Sequence, residues 1–119
     1  MQMNLKLTVV SALSMVAGLA SAQDAVVKIG HVAPMSGAQA HYGKDNENGV
    51  RMAIEDLNAQ NLSIGGKKVK FQIVAEDDAA DPKQGTAAAQ KLCDSKVAGV
   101  VGHLNSGTTI PASKVYHDC

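Results

Sequence analysis

The stretch VVGHLNSGTTIPAS, from Val100 to Ser113, runs from an apolar β-branched pair into a loop of small polar residues and then meets a proline. The apolar run that leads into it, residues 97–102, is typical of a central parallel strand covered on both faces. Because a proline is best tolerated in the first turn of a helix, Pro111 predicts that the next helix begins near Thr108 to Ile110, with Thr108 as its cap. The stretch therefore predicts a strand, a polar loop and a helix.

The rest of the chain repeats this alternation of strand-like and helix-like patterns. Apolar side chains recur at helical spacing from Lys44 to about Gln60, where Asp45 or Asn46 can cap the start. Asp81 and Pro82 give the capping residue and first-turn proline of a second helix. Residues 69–75 alternate in polarity, which fits a strand at or near a sheet edge. The predicted strands are residues 26–33, 69–75 and 97–102.

Strands that alternate with helices predict an α/β fold, with an open parallel sheet, right-handed crossovers and helices on both faces. In open sheets of this kind, ligands bind beyond the carboxyl ends of the strands, where loops lead into helix N-termini. We therefore expect functional residues in the loops that follow the first and last strands.

The loop after the last strand, Asn105 to Gly107, can form an anion site. Its backbone N–H groups, the hydroxyls of Ser106 and Thr108, and the dipole of the next helix all favour negative charge. Since the loop contains no cation, a small carboxylate suits it better than a polyphosphate. Ordinary helix capping is the alternative explanation of the same residues.

The loop after the first strand is predicted to extend over ten residues, from Pro34 to Gly43. Long loops on a rigid scaffold tend to carry function. Tyr42 lies in this loop, and its ring could pack on the hydrocarbon part of a ligand.

The first 22 residues have the layout of a secretory signal peptide, with Lys6, an apolar run from Leu7 to Leu19, and small residues up to Ala22. The apolar run is about 13 residues long, short of the roughly 20 that a membrane span needs. We expect cleavage after Ala22, export, and a periplasmic location.

Composition argues against one class of partner, and the cysteine count indicates a disulfide. The 11 basic residues balance 11 acidic ones and only 3% of residues are aromatic, which argues against a nucleic-acid partner. In an exported protein, an even number of cysteines indicates a disulfide, here between Cys93 and Cys119. Two free thiols, or partners beyond residue 119, are the alternatives.

No pattern indicates an enzyme, a metal site or a cofactor. The chain lacks a GxGxxG motif after its first strand, a phosphate-binding loop and a GxSxG elbow. Its four histidines lack metal-ligand spacing, so we expect each to be solvated or hydrogen-bonded. The acidic cluster from Glu76 to Asp81 lacks the calcium-binding pattern and is expected to be a solvated loop that caps a helix.

Four segments, in this order and spacing, resemble one family: VAPMSGAQAHYG, NGVRMAIEDLNA, AEDDAADPKQ and VVGHLNSGTTIPAS. They are similar to the substrate-binding proteins of ABC importers for leucine, isoleucine and valine, which are type I periplasmic binding proteins. The resemblance covers essentially all of residues 23–119. It implies two lobes that close on an amino acid, with this chain an N-terminal fragment, the first part of the N-terminal lobe, and the second lobe absent.

The resemblance also implies roles for single residues. Ser106 matches the serine that receives the ligand carboxylate, and Tyr42 matches the aromatic position beside the aliphatic side chain. With Asn105 and Thr108, they form the predicted ligand-binding set.

Asn105 and Ala80 stand where some family members have two bridged cysteines. That bridge cannot form in this chain, which makes Cys93 and Cys119 candidates for a substitute between two neighbouring helices.

The implied function is that of an extracytoplasmic solute receptor, a monomer that binds an aliphatic amino acid and delivers it to a membrane permease. A ligand-sensing domain with the same fold is the second hypothesis, and an exported enzyme is the third. The residue that takes the ligand ammonium in this family would lie beyond Cys119, so the choice of solute stays open.

Overall fold

Four strands and three helices alternate along residues 23–119, the part of the chain that this computed structural model describes. The predicted signal peptide, residues 1–22, lies outside the described residues. The strands are β1 (Ala25–Ala33), β2 (Ser63–Ile64), β3 (Lys67–Asp77) and β4 (Gly99–Gly102). The helices are α1 (Ala40–Ala59), α2 (Pro82–Asp94) and α3 (Ser106–Asp118).

The strands form one sheet in the order β2-β3-β1-β4. β1 pairs in parallel with both β3 and β4, whereas β2 is a two-residue antiparallel strand that folds back on the start of β3. The predicted α/β fold with an open, mostly parallel sheet is confirmed. The position of β3 next to the edge also matches the alternating polarity of its sequence.

The two long crossovers place helices on both faces of the sheet. The chain passes from β1 through α1 to β3 on one side, and from β3 through α2 to β4 on the other side of β1. Because crossovers between parallel strands are right-handed, these opposite directions put α1 and α2 on opposite faces. α3 packs beside α2.

Apolar packing holds α2 against the sheet, whereas hydrogen bonds from an amide side chain hold α1. Val32, Ala88 and Leu92 form the core between the sheet and α2, and each is at most 2% exposed. On the other side, Asn58 of α1 accepts from the Phe71 N–H (2.8 Å) and donates to the Phe71 carbonyl (2.9 Å). Since β2 covers only the start of β3, Asn58 satisfies backbone groups at an otherwise open sheet edge.

The predicted start of α1 is wrong by four residues, because the helix begins at Ala40 rather than Lys44. Its N-cap, Gln39, makes no side-chain capping bond. Instead the chain turns at Gly37, whose carbonyl accepts from the Ala40 N–H (3.2 Å). No capping side chain marks this start, so the loop after β1 is shorter than ten residues and Tyr42 lies in α1 rather than in the loop.

The predicted start of α3 is also wrong, because this helix begins at Ser106 with Asn105 as its N-cap. The Asn105 carbonyl accepts from the Thr109 N–H (2.9 Å) and from both threonine hydroxyls, Thr108 (2.9 Å) and Thr109 (2.8 Å). These bonds form the first turn two residues before the predicted start. Pro111 consequently lies inside the helix, where it cannot donate a backbone bond.

The predicted burial of β4 on both faces is wrong for the described residues. β4 begins at Gly99 rather than Val97, and within residues 23–119 it pairs only with β1. Its side chain at Val101 is 50% exposed. A short apolar run indicates that a strand can be buried, but it does not indicate which element buries it.

A disulfide joins Cys93, in the last turn of α2, to Cys119, which follows α3, with 5.9 Å between the Cα atoms. The bridge closes a loop with a sequence separation of 26 residues. By loop-closure entropy, a bridge of this span stabilises a fold by about 3 kcal/mol. No helix among residues 23–119 combines the length and apolarity of a membrane span.

Substitution of Gly43 tests how the loop after β1 packs on α1. A Cβ at residue 43 would lie 1.8 Å from the Pro34 carbonyl oxygen, whereas one at Gly49, on the same helix, would meet nothing within 4 Å. Gly43→Ala should therefore lower the free energy of unfolding by about 1 to 3 kcal/mol. Gly49→Ala should raise it by about 0.5 to 1 kcal/mol, because alanine is the better helix former. Urea unfolding measures both, and equal effects of the two variants would contradict this packing.

Candidate functional site

The candidate site lies at the carboxyl ends of β1 and β4. The chain leaves β1 for α1 and leaves β4 for α3, which packs beside α2, so these neighbouring strands lead to helices on opposite faces of the sheet. Open α/β sheets bind ligands at such a point. A cleft of about 250 Å³ lies here, lined by residues that include His31, Asn46 and Leu104. A larger cavity of about 550 Å³ lies at the amino end of β4 beside the disulfide, away from these loops.

Asp77, the last residue of β3, anchors the loop that follows β1. Its Oδ1 accepts from the N–H groups of Met35 (2.7 Å) and Ala79 (2.8 Å), and its Oδ2 accepts from the Ser36 hydroxyl (2.6 Å). Burial acts to raise the pKa of this carboxyl, but these hydrogen bonds outweigh it and hold the pKa below its usual value. The ionised carboxylate therefore holds the loop in place.

Asp78, the next residue, anchors the loop that follows β4. Its side chain is fully buried, and its Oδ1 accepts from the Ala80 N–H (3.0 Å). Its Oδ2 lies 2.8 Å from Nδ1 of the buried His103. Nε2 of the same ring lies 2.9 Å from the hydroxyl of Tyr116 in α3. A carboxylate, an imidazole and a phenol thus link three parts of the chain.

The direction of these bonds follows from what each group can donate. The Asp78 carboxylate only accepts, so the proton on the ring lies at Nδ1 and, in a neutral imidazole, Nε2 accepts from the Tyr116 hydroxyl. Burial, followed by the nearby Asp78 charge, raises the pKa of Tyr116 to about 12, so its hydroxyl keeps the proton it donates. Every donor in the chain of bonds then has an acceptor.

Gly102 lets β4 approach β1 closely at this point. It has a φ of 140°, and a Cβ there would lie 2.3 Å from the Val32 carbonyl oxygen. Only glycine fits such a position without displacing the backbone. The residue therefore fixes where β4 ends and where His103 enters the loop.

His31 contributes a second buried imidazole, beneath the cleft. It is 2% exposed, and its Nδ1 donates to the Val101 carbonyl (3.0 Å). Its Nε2 has no hydrogen-bond partner among residues 23–119.

Two of the predicted site residues, Asn105 and Tyr42, lie near a contact between the loop after β4 and the start of α1. Asn105 is half-buried and its Nδ2 donates to Oε1 of Gln39 (2.8 Å), which joins the loop after β4 to the loop after β1. Tyr42 follows Gln39 by three residues, in the first turn of α1, and is 56% exposed. Its ring stacks beside that of His41, with 4.0 Å between centroids.

The other two predicted site residues differ in accessibility. Ser106 is exposed and is the first residue of α3. Thr108 is fully buried, and its hydroxyl donates to the Asn105 carbonyl. Its side chain faces Gly85 of α2, where an added Cβ would lie 3.0 Å from it. The ligand-binding roles of all four residues stay predictions.

Sequence reasoning missed the groups that hold the loops in place. The acidic cluster was expected to be a solvated cap, and Asp81 does cap α2 by accepting from the Gln84 N–H (2.9 Å). Asp78 is instead buried against a histidine 25 residues away. No local pattern predicts such a contact, although an Asp pair at a strand end is itself a signal. Among the described residues, no cluster of three or more His, Cys, Asp or Glu could hold a metal ion.

Comparison with known families identifies the fold. The family model described as periplasmic binding protein matches residues 26–118. The chain belongs to this family. The sequence resemblance is thereby confirmed at the level of the family.

Relatives within the periplasmic binding protein family are much longer than this chain. An amino acid binding protein of Pseudomonas aeruginosa is 44% identical over 108 residues, which cover 90% of this chain and 28% of that protein. A Leu/Ile/Val-binding protein of Escherichia coli is 43% identical over 100 residues, covering 84% and 26%. The chain thus spans about a quarter of the length of these curated relatives.

Solved structures of this family share the fold. A branched-chain amino acid transporter substrate binding protein from Streptococcus pneumoniae, in complex with isoleucine, aligns with a TM-score of 0.69 and 30% identity, covering 78% of this chain and 26% of that one. A solute binding protein of an ABC transporter from Rhodopseudomonas palustris, in complex with 3,4-dihydroxybenzoic acid, aligns with a TM-score of 0.65 and 28% identity, covering 78% and 24%.

The lowered pKa of Asp77 predicts how acid affects the protein. Its contribution to stability is present above the unfolded-state pKa, near 3.8, and is lost as pH falls through the lower folded-state pKa. Asp77→Asn should therefore reduce stability by about 1 to 2 kcal/mol near neutral pH, with a difference from the unaltered protein that shrinks below pH 4. Thermal unfolding between pH 3 and pH 7 measures it.

Asp56→Asn, at an exposed carboxylate of α1, is the control and should change stability little at any pH. An Asp77→Asn difference that stayed constant down to the lowest pH would contradict the assignment of an ionised anchor.

Proposed function

We propose that the complete protein is an extracytoplasmic solute receptor of an ABC importer, which binds a branched-chain or related amino acid. The relatives named for binding Leu/Ile/Val support this proposal, as does the similar substrate binding protein in complex with isoleucine. The described residues supply one side of the ligand site, and a second lobe supplies the other. The protein then delivers its ligand to a membrane permease from the periplasm, as a monomer and without chemical conversion.

The observation that carries the proposal is the position of the α3 N-terminus. The first bonded N–H groups of α3 are those of Thr108 (3.2 Å) and Thr109 (2.9 Å), both to the Asn105 carbonyl, so the N–H groups of Ser106 and Gly107 have no partner within the helix. The Ser106 side chain is exposed beside them, at the carboxyl edge of the sheet. Together with the helix dipole, these groups suit the carboxylate of an amino acid.

Exposed apolar side chains next to the carboxylate position suit the rest of the ligand. Tyr42, in the first turn of α1, is 56% exposed, and Leu104, in the loop after β4, is 42% exposed. The bond between Gln39 and Asn105 joins these two parts of the chain. Such surface is stabilised when a hydrocarbon side chain covers it. The similar protein in complex with 3,4-dihydroxybenzoic acid also has a carboxylate ligand. This supports a site that binds the carboxylate in the same way while the rest of the ligand differs between proteins.

Closure of the two lobes provides the mechanism. A ligand that contacts both lobes only in the closed form shifts the balance towards that form, and the permease then recognises the closed receptor. In this proposal the described residues form the first part of the N-terminal lobe.

Ser106→Ala tests the carboxylate position in the protein expressed from its complete coding sequence. Removal of one donor to a charged group should weaken leucine binding by about 1 to 3 kcal/mol, or roughly 5- to 150-fold. Ser113→Ala is the matched control, since Ser113 is an exposed serine of the same helix whose hydroxyl donates to the Ile110 carbonyl (2.7 Å). Isothermal titration with leucine, isoleucine, valine and 3,4-dihydroxybenzoic acid measures the affinities.

Equal affinities for Ser106→Ala and Ser113→Ala would move the carboxylate to another part of the protein. Binding of none of these four ligands by the unaltered protein would contradict the proposed class of solute.

A further inference from the structure

The buried side chains of Asp78 and His103 and the half-buried side chain of Tyr116 lie outside the proposed ligand contacts, but His103 leads directly into those contacts. His103 directly follows β4, and only two residues separate it from Ser106. Its ring is held on one side by the turn after β3 and on the other by α3. Of the side chains on the chain between β4 and α3, this imidazole is the most deeply buried.

The bond to Tyr116 restrains the direction of α3. Tyr116 lies ten residues after Ser106, which is about 15 Å along a helix axis. The other end of the helix is held at Asn105, through its bond to Gln39 and through the Thr108 and Thr109 hydroxyls. Because both ends of the helix are fixed, the N–H groups of its first turn point in a set direction.

We infer that Asp78, His103 and Tyr116 are positioning residues that aim the first turn of α3 at the ligand carboxylate. None of the three side chains needs to touch the ligand. They act by fixing the helix to which the N–H groups and the Ser106 hydroxyl belong. The inference rests on the proposed function, because it assigns a ligand to the same site.

Each hydrogen-bond donor among Asp78, His103 and Tyr116 has one acceptor, so the loss of one polar group leaves another without a partner. Tyr116→Phe keeps the ring, which packs on the core of Val32 and Leu92, but leaves His103 Nε2 without its donor. Asp78→Asn leaves one carbonyl oxygen to accept from both Ala80 N–H and His103, where the carboxylate offers two. The disulfide also holds the end of α3, so the test decides whether the disulfide alone is sufficient.

A double-mutant cycle separates positioning from general stability. Leucine affinity is measured for the full-length protein, Tyr116→Phe, Ser106→Ala and the double variant. If Tyr116 acts through the Ser106 turn, Tyr116→Phe should weaken binding by about fivefold or more alone, and by a smaller factor in the Ser106→Ala background, where only the backbone N–H groups remain to be positioned. Asp78→Asn should follow the same pattern. His117→Asn, at an exposed histidine of the same helix, is the control and should leave affinity unchanged.

A ligand-free measurement checks that the network exists in solution. In ¹⁵N-histidine NMR, His103 should show a protonated Nδ1 whose hydrogen exchanges slowly with water. The Nε2 resonance should shift in Tyr116→Phe, while the His117 resonances stay in place.

The outcomes separate this inference from the proposed function. If the unaltered protein binds leucine but Tyr116→Phe has no effect, or has the same effect in both backgrounds, the positioning role is overturned and the receptor function stands. A solvent-exchanging His103 would overturn it as well. If the unaltered protein binds none of leucine, isoleucine or valine, the proposed function and this inference fall together.

Discussion

The fully buried carboxylate of Asp78 is the group on which the carboxyl edge of this fold depends. A charge without access to water is stable only if hydrogen-bond donors replace its hydration, and here the Ala80 N–H and the His103 imidazole do so. Removal of the imidazole would leave the buried charge with a single donor, which costs several kcal/mol. The loop after β4 therefore cannot move away from the turn after β3 without a large penalty.

Asp77 and Asp78 each hold a different loop in place. Successive residues of an extended strand point to opposite faces of the sheet. Asp77 binds the loop that leads into α1, and Asp78 binds the residue that leads towards α3. The Gln39–Asn105 bond then joins the two loops directly. An Asp pair at the end of one strand thus determines the geometry of the loops that follow its neighbours.

The alternation of apolar runs predicted the order of elements and the parallel sheet, because side-chain periodicity reflects burial directly. Helix starts were harder to predict. Both α1 and α3 begin earlier than expected, since backbone carbonyls at Gly37 and Asn105 provide the first-turn contacts that capping side chains would otherwise make. Ser106 and Tyr42 could be singled out by residue type and by resemblance. The partners of Asp78 could not, because His103 and Tyr116 meet it only after the strands have paired.

The most direct test of this account is a crystal structure of the complete protein bound to L-leucine. The account predicts the leucine carboxylate within hydrogen-bond distance of the Ser106 N–H and hydroxyl, with the His103 ring still bonded to Asp78 and Tyr116. A carboxylate bound elsewhere, with the first turn of α3 facing only solvent, would contradict it.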